Sequence, residues 1–507
     1  MQDKGLPSNS TVSEADWDKT PASVKALVLN LVSRVEELEN QFADLRAENA
    51  QLRAENERLT EKLQRNSQNS SQPPSEDKAK VVKAKKPRSR RPRGGQPGHS
   101  GKGAKLYPPE ACERIENYYP RRCHHCGEGL SGEDPTPYRV QKVDVPKIVP
   151  IVVEHRFHQL GCECCGSLTR GWDEGVVNSP RYGERLTGLV GWLSSVGRQS
   201  HGQIKDLLSE VFDIEISTGG INRLRMELSE SLSPIVDSVG EYIQQQAQVN
   251  MDETGFRQGN GDGQNPQKSK GWLWVVVTPL VSYFSVFLSR SQAVAKEILG
   301  ETFGGIVGSD RCGSYSWLCN HQRQVCWAHL KRDFTKIAER TGRSRDLGQA
   351  LLKQQKRLFS LWYQVRDGTL TRDAFVEQVK PIQLEVKRLL EEGGDYEIEK
   401  GDKTPFAKTV RTCRKLLKVE AALWTFVEHD GVEPTNNAAE RALRPAVLWR
   451  KQSFGANSQQ GSQFVARMMT TVTSLKAQQR SVFDFLSDAV KASRNGSTVP
   501  SLLPEAD

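Results

Sequence analysis

The amino-acid sequence predicts a multidomain α+β protein, and three features of the chain carry that prediction. Leucines recur every seven residues near the N-terminus, two Cys-x-x-Cys-Gly units follow, and short apolar strands alternate with helices from residue 246 onward. A chain of 507 residues is long enough for about three domains. The predicted order is a coiled coil, a small ribbon built on the cysteines, a helical region, and an α/β core that a helical insertion interrupts.

Residues 24–63 form the predicted coiled coil. Leucine occupies the d position of five successive heptads, at Leu31, Leu38, Leu45, Leu52 and Leu59. Asn49 and Asn56 stand at a positions, and this combination favours a parallel dimer in one register. An amphipathic helix packed on its own protein is the alternative, but five unbroken heptads favour a homodimer or a larger oligomer.

A basic segment follows the coiled coil. From Lys78 to Lys105 the chain carries eleven Lys and Arg residues and no Asp or Glu, so the rest of the chain is slightly acidic. Such a block is typical of polyanion binding, and a solvated basic linker is the alternative. Its many Gly and Pro residues predict that it becomes ordered only on a partner. The arginines expected to contact nucleic acid here are Arg88, Arg90, Arg91 and Arg93.

Two cysteine knuckles, CHHCG at 123–127 and CECCG at 162–166, predict a metal site. Four thiolates favour tetrahedral Zn²⁺, and a closed four-cysteine site is structural rather than catalytic. We expect the residues between the knuckles to form the strands of a zinc ribbon. The predicted ligands are Cys123, Cys126, Cys162 and Cys165; Cys164, His124 or His125 could replace one of them, and unliganded thiols are the alternative.

Residues 181–240 are helical in pattern and contain a helix, a turn and a second helix, the layout of a DNA-binding helix-turn-helix. Ser217 and Thr218 can cap the second helix, which carries Arg223 and Arg225 near its start. Many helical hairpins have this layout, so ordinary packing is an equal alternative.

No membrane segment is expected. The first twenty residues lack the apolar core of a signal peptide. The uncharged stretch 272–289 is long enough for a span, but Pro279 at its centre and its many β-branched and aromatic residues favour two strands joined by a turn. We therefore expect a soluble cytoplasmic protein.

The order of elements from residue 246 defines the predicted core. A first strand (QVNMDETGF), an antiparallel pair, a helix, a fourth strand (GGIVGSD), a strand running into a helix, and a late helix follow one another. This is the order of an RNase H-like sheet, whose first and fourth strands lie side by side. Asp252 ends the first strand, Asp310 ends the fourth, and Glu440 opens the late helix, which we expect to stop at Pro445.

Each of these carboxylates also has a local interpretation. Asp252 could be a turn residue, Asp310 could cap a helix, and Glu440 stands three residues after Asn437, which is capping-box spacing. Because Asn436 and Asn437 can cap the helix themselves, we expect Glu440 to face the sheet. Three converging acids would hold two divalent ions for phosphoryl displacement, and hard oxygen ligands favour Mg²⁺ or Mn²⁺.

The strings VNMDETGF, IVGSD, CWAHLKRDF and PTNNAAERALRP, in this order, resemble those of the DDE transposases of the insertion-sequence-sixty-six (IS66) family. The leucine zipper, the GGQPGHSGKGAKL block and the CxxCG ribbon extend the resemblance over most of the chain. It implies a catalytic triad of Asp252, Asp310 and Glu440, with a helical insertion before Glu440. Cys326 and His329 match a Cys-x-x-His signature of several DDE enzymes, for which local support of the core or a packed strand-to-helix corner is expected.

The expected function is that of a bacterial, nucleoid-associated DNA transposase. It would bind the terminal inverted repeats of its insertion sequence and a target DNA, and helper proteins of the same element are implied by the resemblance. Arg441, Arg444 and Lys451 would contact phosphates, whereas Trp327 and Trp449 are expected in the core rather than stacked on bases. A zinc-ribbon and leucine-zipper DNA-binding regulator with an idle core is the main rival, and a nuclease without strand transfer is the second.

The predicted boundaries follow from these patterns: disordered 1–23, leucine zipper 24–63, basic linker 64–105, zinc ribbon 106–180, helical DNA-binding region 181–240, RNase H-like core 246–340 and 431–455, helical insertion 341–430, and C-terminal helices 456–495.

Overall fold

The computed structural model describes residues 13–70 and 105–504. The chain divides into two compact units, here called the larger unit (described residues 13–70, 182–198 and 223–504) and the smaller unit (described residues 105–181 and 199–222). The predicted DNA contacts Arg88, Arg90, Arg91 and Arg93 lie outside the described residues.

The described elements, in chain order, are α1 Glu14–Asp18, α2 Ala22–Leu63, β1 Gln159–Gly161, β2 Leu168–Arg170, α3 Glu174–Val177, α4 Glu184–Ser195, α5 His201–Phe212, α6 Thr218–Gln244, β3 Gln248–Gly255, β4 Trp272–Val277, β5 Ser282–Phe287, α7 Gln292–Leu299, β6 Ile306–Ser309, β7 Arg323–Val325, α8 Trp327–Ala338, α9 Gly342–Arg366, α10 Arg372–Gly394, α11 Pro405–Leu417, α12 Thr425–Glu428, α13 Asn437–Ser453, α14 Gln459–Ala477 and α15 Val482–Asn495.

The N-terminal region is more ordered than the sequence predicted. Helix α1 begins within the segment expected to be disordered, because Ser13 caps it and Trp17 is buried. Helix α2 is continuous over 42 residues, and its five heptad leucines are 44–62% exposed in the single chain. The helix is therefore confirmed, while its pairing with a second copy stays a prediction.

The C-terminal end of α2 is attached to the helical insertion. The Glu61 carboxylate lies 3.0 Å from Nε of Arg340 and 2.7 Å from Nζ of Lys408. Asn69 is also buried, and its side-chain amide donates to Glu339 at 2.7 Å. These polar contacts fix the segment 61–70 against α11 and the residues that directly follow α8.

The smaller unit contains the cysteine knuckles, but its predicted ribbon strands are wrong. Only the short antiparallel pair β1–β2 flanks the second knuckle, and residues 138–158 form no strand. Val140 is 79% exposed and Ile151 is 96% exposed, so no apolar layer covers these segments. A β-prone sequence needs such packing to form a stable ladder.

Helices α5 and α6 follow the predicted helix, turn, helix order. Asp213 ends α5 in the left-handed conformation, with a φ of 55°. The Ser217 hydroxyl accepts the Gly220 backbone N–H at 3.0 Å, as the capping prediction required. Helix α6 then continues for 27 residues.

A five-stranded sheet organises the larger unit, with the strand order β5-β4-β3-β6-β7. Strands β3, β4 and β5 pair antiparallel, whereas β3–β6 and β6–β7 are parallel. The first and fourth strands of this core, β3 and β6, are therefore neighbours, as predicted. Thr278 and Val281 close the predicted turn between β4 and β5.

Two apolar clusters stabilise the larger unit. The first surrounds the sheet, where helix α13 packs on β3 and β4 and helix α14 packs on β5. The second lies mainly within helices α8 to α12 and includes Trp327, Phe334, Phe375 and Phe426. No helix of the described residues is both long and apolar enough to cross a bilayer.

The prediction that Pro445 ends helix α13 is wrong, since the helix continues to Ser453. Proline removes one N–H and strains the preceding turn. Ala442, Ala446 and Trp449 are buried on the core face, on both sides of the proline. Their burial offsets the lost hydrogen bond, which costs roughly 1 kcal/mol.

Candidate active site

Asp252 and Asp310 come from neighbouring parallel strands. Asn250 of β3 pairs with Gly308 of β6, so continuing the register by two residues sets Asp310 opposite Asp252. The prediction that Asp252 ends its strand is wrong. Asp252 lies within β3, because β3 stays paired with β4 as far as Gly255. Asp310 directly follows the last residue of β6, as predicted.

Glu440 reaches the same place from helix α13. A cleft of about 860 Å³ is bordered by all three acids. The cleft is lined by Arg65, Ser67, Asn69, Ser70, Asp252, Glu253, Arg290, Asp310, Arg311, Cys312, His329, Arg332, Asp333, Lys336 and Glu440. The three sequence-predicted acids are thus brought together.

The acids of this cleft repel one another. Burial raises the pKa of Asp252 well above its usual range, and the negative charges of Glu253, Asp310 and Glu440 raise it further. Like charges held together in a partly buried cleft favour a bound cation. The donor set, carboxylate oxygens only, fits Mg²⁺ or Mn²⁺.

Substitution of Asp252 by Asn is expected to stabilise the metal-free protein. A carboxyl whose pKa is higher in the folded chain opposes folding once the pH exceeds its unfolded pKa, and the loss grows until the pH passes the folded pKa. Asn cannot ionise, so this loss disappears. We expect the thermal midpoint at neutral pH to rise by about 2–4 °C in a calorimetric scan.

Asp262→Asn is a matched control with the opposite sign. Although burial opposes it, the backbone N–H groups of Gln460, Gln264 and Gln459 lower the pKa of Asp262. That carboxylate therefore stabilises the fold above its unfolded pKa, and the stabilisation is lost as the pH falls through the folded pKa. If Asp252→Asn lowers the midpoint in the absence of metal, the electrostatic description of the cleft is wrong.

A fourth carboxylate, Glu253, is already occupied by protein partners. Its side chain is fully buried, accepts Nε–H of Arg290 at 2.5 Å and accepts the hydroxyl of Tyr315. Arg290 also lies 3.9 Å from Asp310. Glu253 also borders the cleft, but its carboxylate is paired with Arg290 and Tyr315.

Glu440 is not a capping residue. The N-cap of α13 is Asn436, one residue earlier than the capping-box spacing requires, and neither Asn436 nor Glu440 caps through its side chain. Glu440 Oε1 instead lies 3.6 Å from Nδ1 of His329 and 3.6 Å from Nη2 of Arg332. Glu440 borders the cleft, and its expected catalytic role stays a prediction. The prediction that the two asparagines cap the helix through their side chains is wrong.

Asn436 connects the segments that carry the site. It is fully buried, its Nδ2 donates to the Met251 carbonyl at 2.9 Å, and its backbone N–H donates to Cys326 Sγ at 3.1 Å. The Trp327 N–H donates to the Pro434 carbonyl at 2.9 Å. The PTNN string thus attaches the start of α13 to β3 beside Asp252 and to the start of α8.

None of the cations that line the cleft was predicted from the sequence. Arg290 follows β5, while Arg332 and Lys336 lie one turn apart on α8. The only available signal was their spacing of four residues in HLKRDFTK. Their positive charge suits a polyanionic substrate beside the acids.

The predicted phosphate contacts have mixed outcomes. Arg223, Arg441, Arg444 and Lys451 are exposed. The prediction that Arg225 contacts phosphate is not supported, because its side chain is mostly buried. Its guanidinium lies 4.2 Å over the Phe464 ring, and burial lowers its pKa to about 10. Its place on the core face of α6 explains the difference.

Both candidate stacking residues belong to the core, as predicted. Trp327 is fully buried and its indole N–H donates to the Leu423 carbonyl at 2.8 Å. Trp449 is 6% exposed and packs edge-to-face against Phe464.

Each cysteine knuckle is formed locally, but the four thiols are not gathered into one site. The Gly127 N–H donates to the Cys123 carbonyl, and the Gly166 N–H donates to the Cys162 carbonyl. Among the described residues, the one group of three or more Cys, His or acidic side chains with mutually close ligand atoms is Cys326, His329 and Glu440. The four-cysteine zinc site stays a prediction.

Two protein-family models match the sequence of this chain. A family model described as "Transposase IS66 family" matches residues 201–464, just over half of the chain. A second model, for a family of unknown function (DUF6444), matches residues 13–105.

Three uncharacterised proteins of Sinorhizobium fredii are similar to the chain. The protein y4qI is 25% identical over 57% of this chain and 56% of its own length. The protein y4jD is 23% identical over 53% of this chain and 54% of its own length, and y4hP is 22% identical over 72% and 69%. The chain thus spans little more than half the length of the first two.

Proposed function

Because the chain belongs to the IS66 transposase family, we propose that it is a DNA transposase that cleaves and joins DNA at the cleft bordered by Asp252, Asp310 and Glu440. The observation that carries this proposal is the convergence of the three acids from β3, β6 and α13. The strand order β5-β4-β3-β6-β7 supports an RNase H-like core for that chemistry.

The proposed DNA ligands are the terminal inverted repeats of the insertion sequence and a target DNA. Arg65, Arg311, Arg332 and Lys336 line the cleft and would bind phosphates on either side of the acids. Arg441, Arg444 and Lys451 are exposed on α13 and would extend this contact. Helper proteins of the same element and association with the nucleoid remain parts of the proposal.

Asp252, Asp310 and Glu440 would hold Mg²⁺ or Mn²⁺. When bound, such ions activate an attacking oxygen and stabilise the leaving oxygen of a phosphodiester. The protein's own contribution is to position the acids. The β3–β6 ladder fixes the two aspartates, Asn436 fixes the helix that carries Glu440, and Arg290 keeps Glu253 paired and out of the metal set.

The experiment that tests the proposal is a nicking and strand-transfer assay on DNA carrying the element's terminal repeats. We expect nicked and joined products with Mg²⁺ or Mn²⁺ and none with a chelator. Sequence-specific binding without any cleavage would favour a DNA-binding regulator with an idle core. Nicking without joining would favour a nuclease.

The leucine stripe of α2 is proposed to pair with a second copy of the chain. The stripe is exposed, and its a-position asparagines favour a parallel dimer. The double variant Leu38→Lys, Leu45→Lys is expected to change a dimer into a monomer, measured by light scattering on the eluting protein. Arg46→Lys, which keeps the charge and lies off the stripe, should leave the mass unchanged. An unchanged mass in the double variant would contradict the zipper.

A further inference from the structure

A thiol, an imidazole and a carboxylate meet at the wall of the cleft. One ligand atom from each of Cys326, His329 and Glu440 lies within 4.8 Å of the others. Cys326 is the N-cap of α8, and His329 follows in its first turn. Glu440 comes from α13, so the three side chains are drawn from two elements that Asn436 holds together.

Two of these atoms lack the partner that a buried polar atom requires. Nδ1 of His329 and Oε1 of Glu440 are buried 3.6 Å apart, and neither has a hydrogen-bond partner within the described parts of the chain. Leaving such an atom unsatisfied costs about 1–3 kcal/mol. Two facing atoms of this kind indicate a position for a shared ligand.

The third candidate ligand atom is Cys326 Sγ, which receives a hydrogen bond from the protein backbone. Cys326 is 1% exposed, and its sulfur accepts the Asn436 backbone N–H at 3.1 Å. A backbone N–H donated to sulfur stabilises the thiolate, which is the form that binds metals.

We propose that Cys326, His329 and Glu440 bind a borderline-soft divalent ion of the zinc type, at a second position that shares only Glu440 with the Mg²⁺ set. Thiolate and imidazole ligands select such ions, whereas Mg²⁺ prefers oxygen alone. Three protein ligands leave a fourth coordination position open, as in catalytic rather than structural zinc sites.

The surrounding charges partly oppose and partly favour this site. Burial and the charge of Arg332 lower the pKa of His329, against the opposing charges of Glu440, Asp310 and Asp333. Burial raises the pKa of the Cys326 thiol, so the bound ion displaces its proton. The Arg332 guanidinium, 3.6 Å from Glu440, competes for the carboxylate.

One consequence rests on the proposed function. Glu440 serves both sites, so an ion held by Cys326 and His329 draws its carboxylate away from Asp252 and Asp310. Zinc is then an inhibitor that competes with Mg²⁺ for one side chain.

Cobalt titration of the full chain tests the site without an activity measurement. Co²⁺ replaces Zn²⁺ and gives a thiolate charge-transfer band. We expect Cys326→Ser to bind one Co²⁺ per chain fewer than the parent protein and to lose the matching part of the band. The knuckle thiols contribute equally to both proteins, so the difference isolates Cys326.

Two further variants complete the titration. Cys413→Ser removes a buried thiol of the insertion and should keep the full stoichiometry. His329→Gln keeps the thiol and should weaken Co²⁺ binding at this site by about tenfold or more. Equal stoichiometry and equal bands in the parent and Cys326→Ser, or an unchanged affinity in His329→Gln, would overturn the proposal.

The inhibition is tested separately. In the Mg²⁺-dependent cleavage assay, the zinc concentration for half-inhibition should rise about tenfold in Cys326→Ser. An unchanged half-inhibition would overturn the competition for Glu440. A protein with no cleavage at all would contradict the proposed function, while the cobalt result would still decide whether the site binds metal.

Discussion

Asp252→Asn, Asp310→Asn and Glu440→Gln are each expected to lower Mg²⁺-dependent DNA cleavage by about 10³-fold or more. Each substitution removes a carboxylate charge from a set of three that border one cleft. A ligand to catalytic metal ions contributes several kcal/mol to the transition state, and about 4 kcal/mol corresponds to 10³-fold in rate. The measurement is single-turnover nicking of terminal-repeat DNA at saturating protein.

DNA affinity should survive these substitutions, because cations rather than acids bind phosphates. Asp333→Asn is the matched control: Asp333 lines the same cleft, but it is paired with Arg311. We expect that control to keep cleavage within about tenfold of the parent protein. Cleavage that persists in any one of the three variants removes that acid from the triad.

Arg290→Ala is expected to lower the free energy of unfolding by about 2–3 kcal/mol. Removing one member of a buried ion pair costs about 3–5 kcal/mol, because the other charge stays buried. The figure is reduced here because the Arg290 side chain is 36% exposed, whereas that of Glu253 is fully buried. Urea unfolding, followed by tryptophan fluorescence, measures the change.

A second substitution separates this charge effect from lost packing. Adding Glu253→Gln to Arg290→Ala removes the uncompensated charge and should recover part of the lost stability. Arg311→Ala breaks a pair with Asp333 whose two side chains are both partly exposed, and should cost less than about 1 kcal/mol. Equal losses for Arg290→Ala and Arg311→Ala would show that Glu253 does not depend on its arginine.

The closeness of Asp252 and Asp310 could be predicted from the order of the elements along the chain. A strand, a hairpin, a helix and a parallel strand fix which strand ends are neighbours, so Asp252 and Asp310 meet without any knowledge of side-chain contacts. Glu253 and Arg290 were missed because 37 residues separate them, and Tyr315 lies further along the chain. Nothing in a local pattern pairs such residues.

The start of α13 shows why local rules gave the wrong detail. Asn436 is a good helix-capping residue in isolation. Here its side-chain amide satisfies the Met251 carbonyl instead, because that carbonyl is buried and needs a donor. Tertiary burial also overrides Pro445, since the helix is held by residues on both sides of the proline.

The N-terminal half was less predictable for a different reason. The heptad pattern fixes the helix of α2, yet pairing depends on a second chain. The spacing of the cysteines fixes the two local turns of the knuckles. Bringing the two knuckles together depends on a bound ion, because the segments between them bury little apolar surface. In both regions the predicted structure depends on a binding partner, which local sequence preferences do not describe.

The attachment of Glu61 to Arg340 and Lys408 gives the long helix a geometric consequence. A helix of 42 residues is about 63 Å long, and its C-terminal end is held beside the cleft. In a parallel pair, the two clefts would lie at the same end of the rod. An antiparallel pair would separate them by about the full length of the helix. If the proposed zipper forms, the relative orientation of its two helices would therefore set the distance between the two clefts.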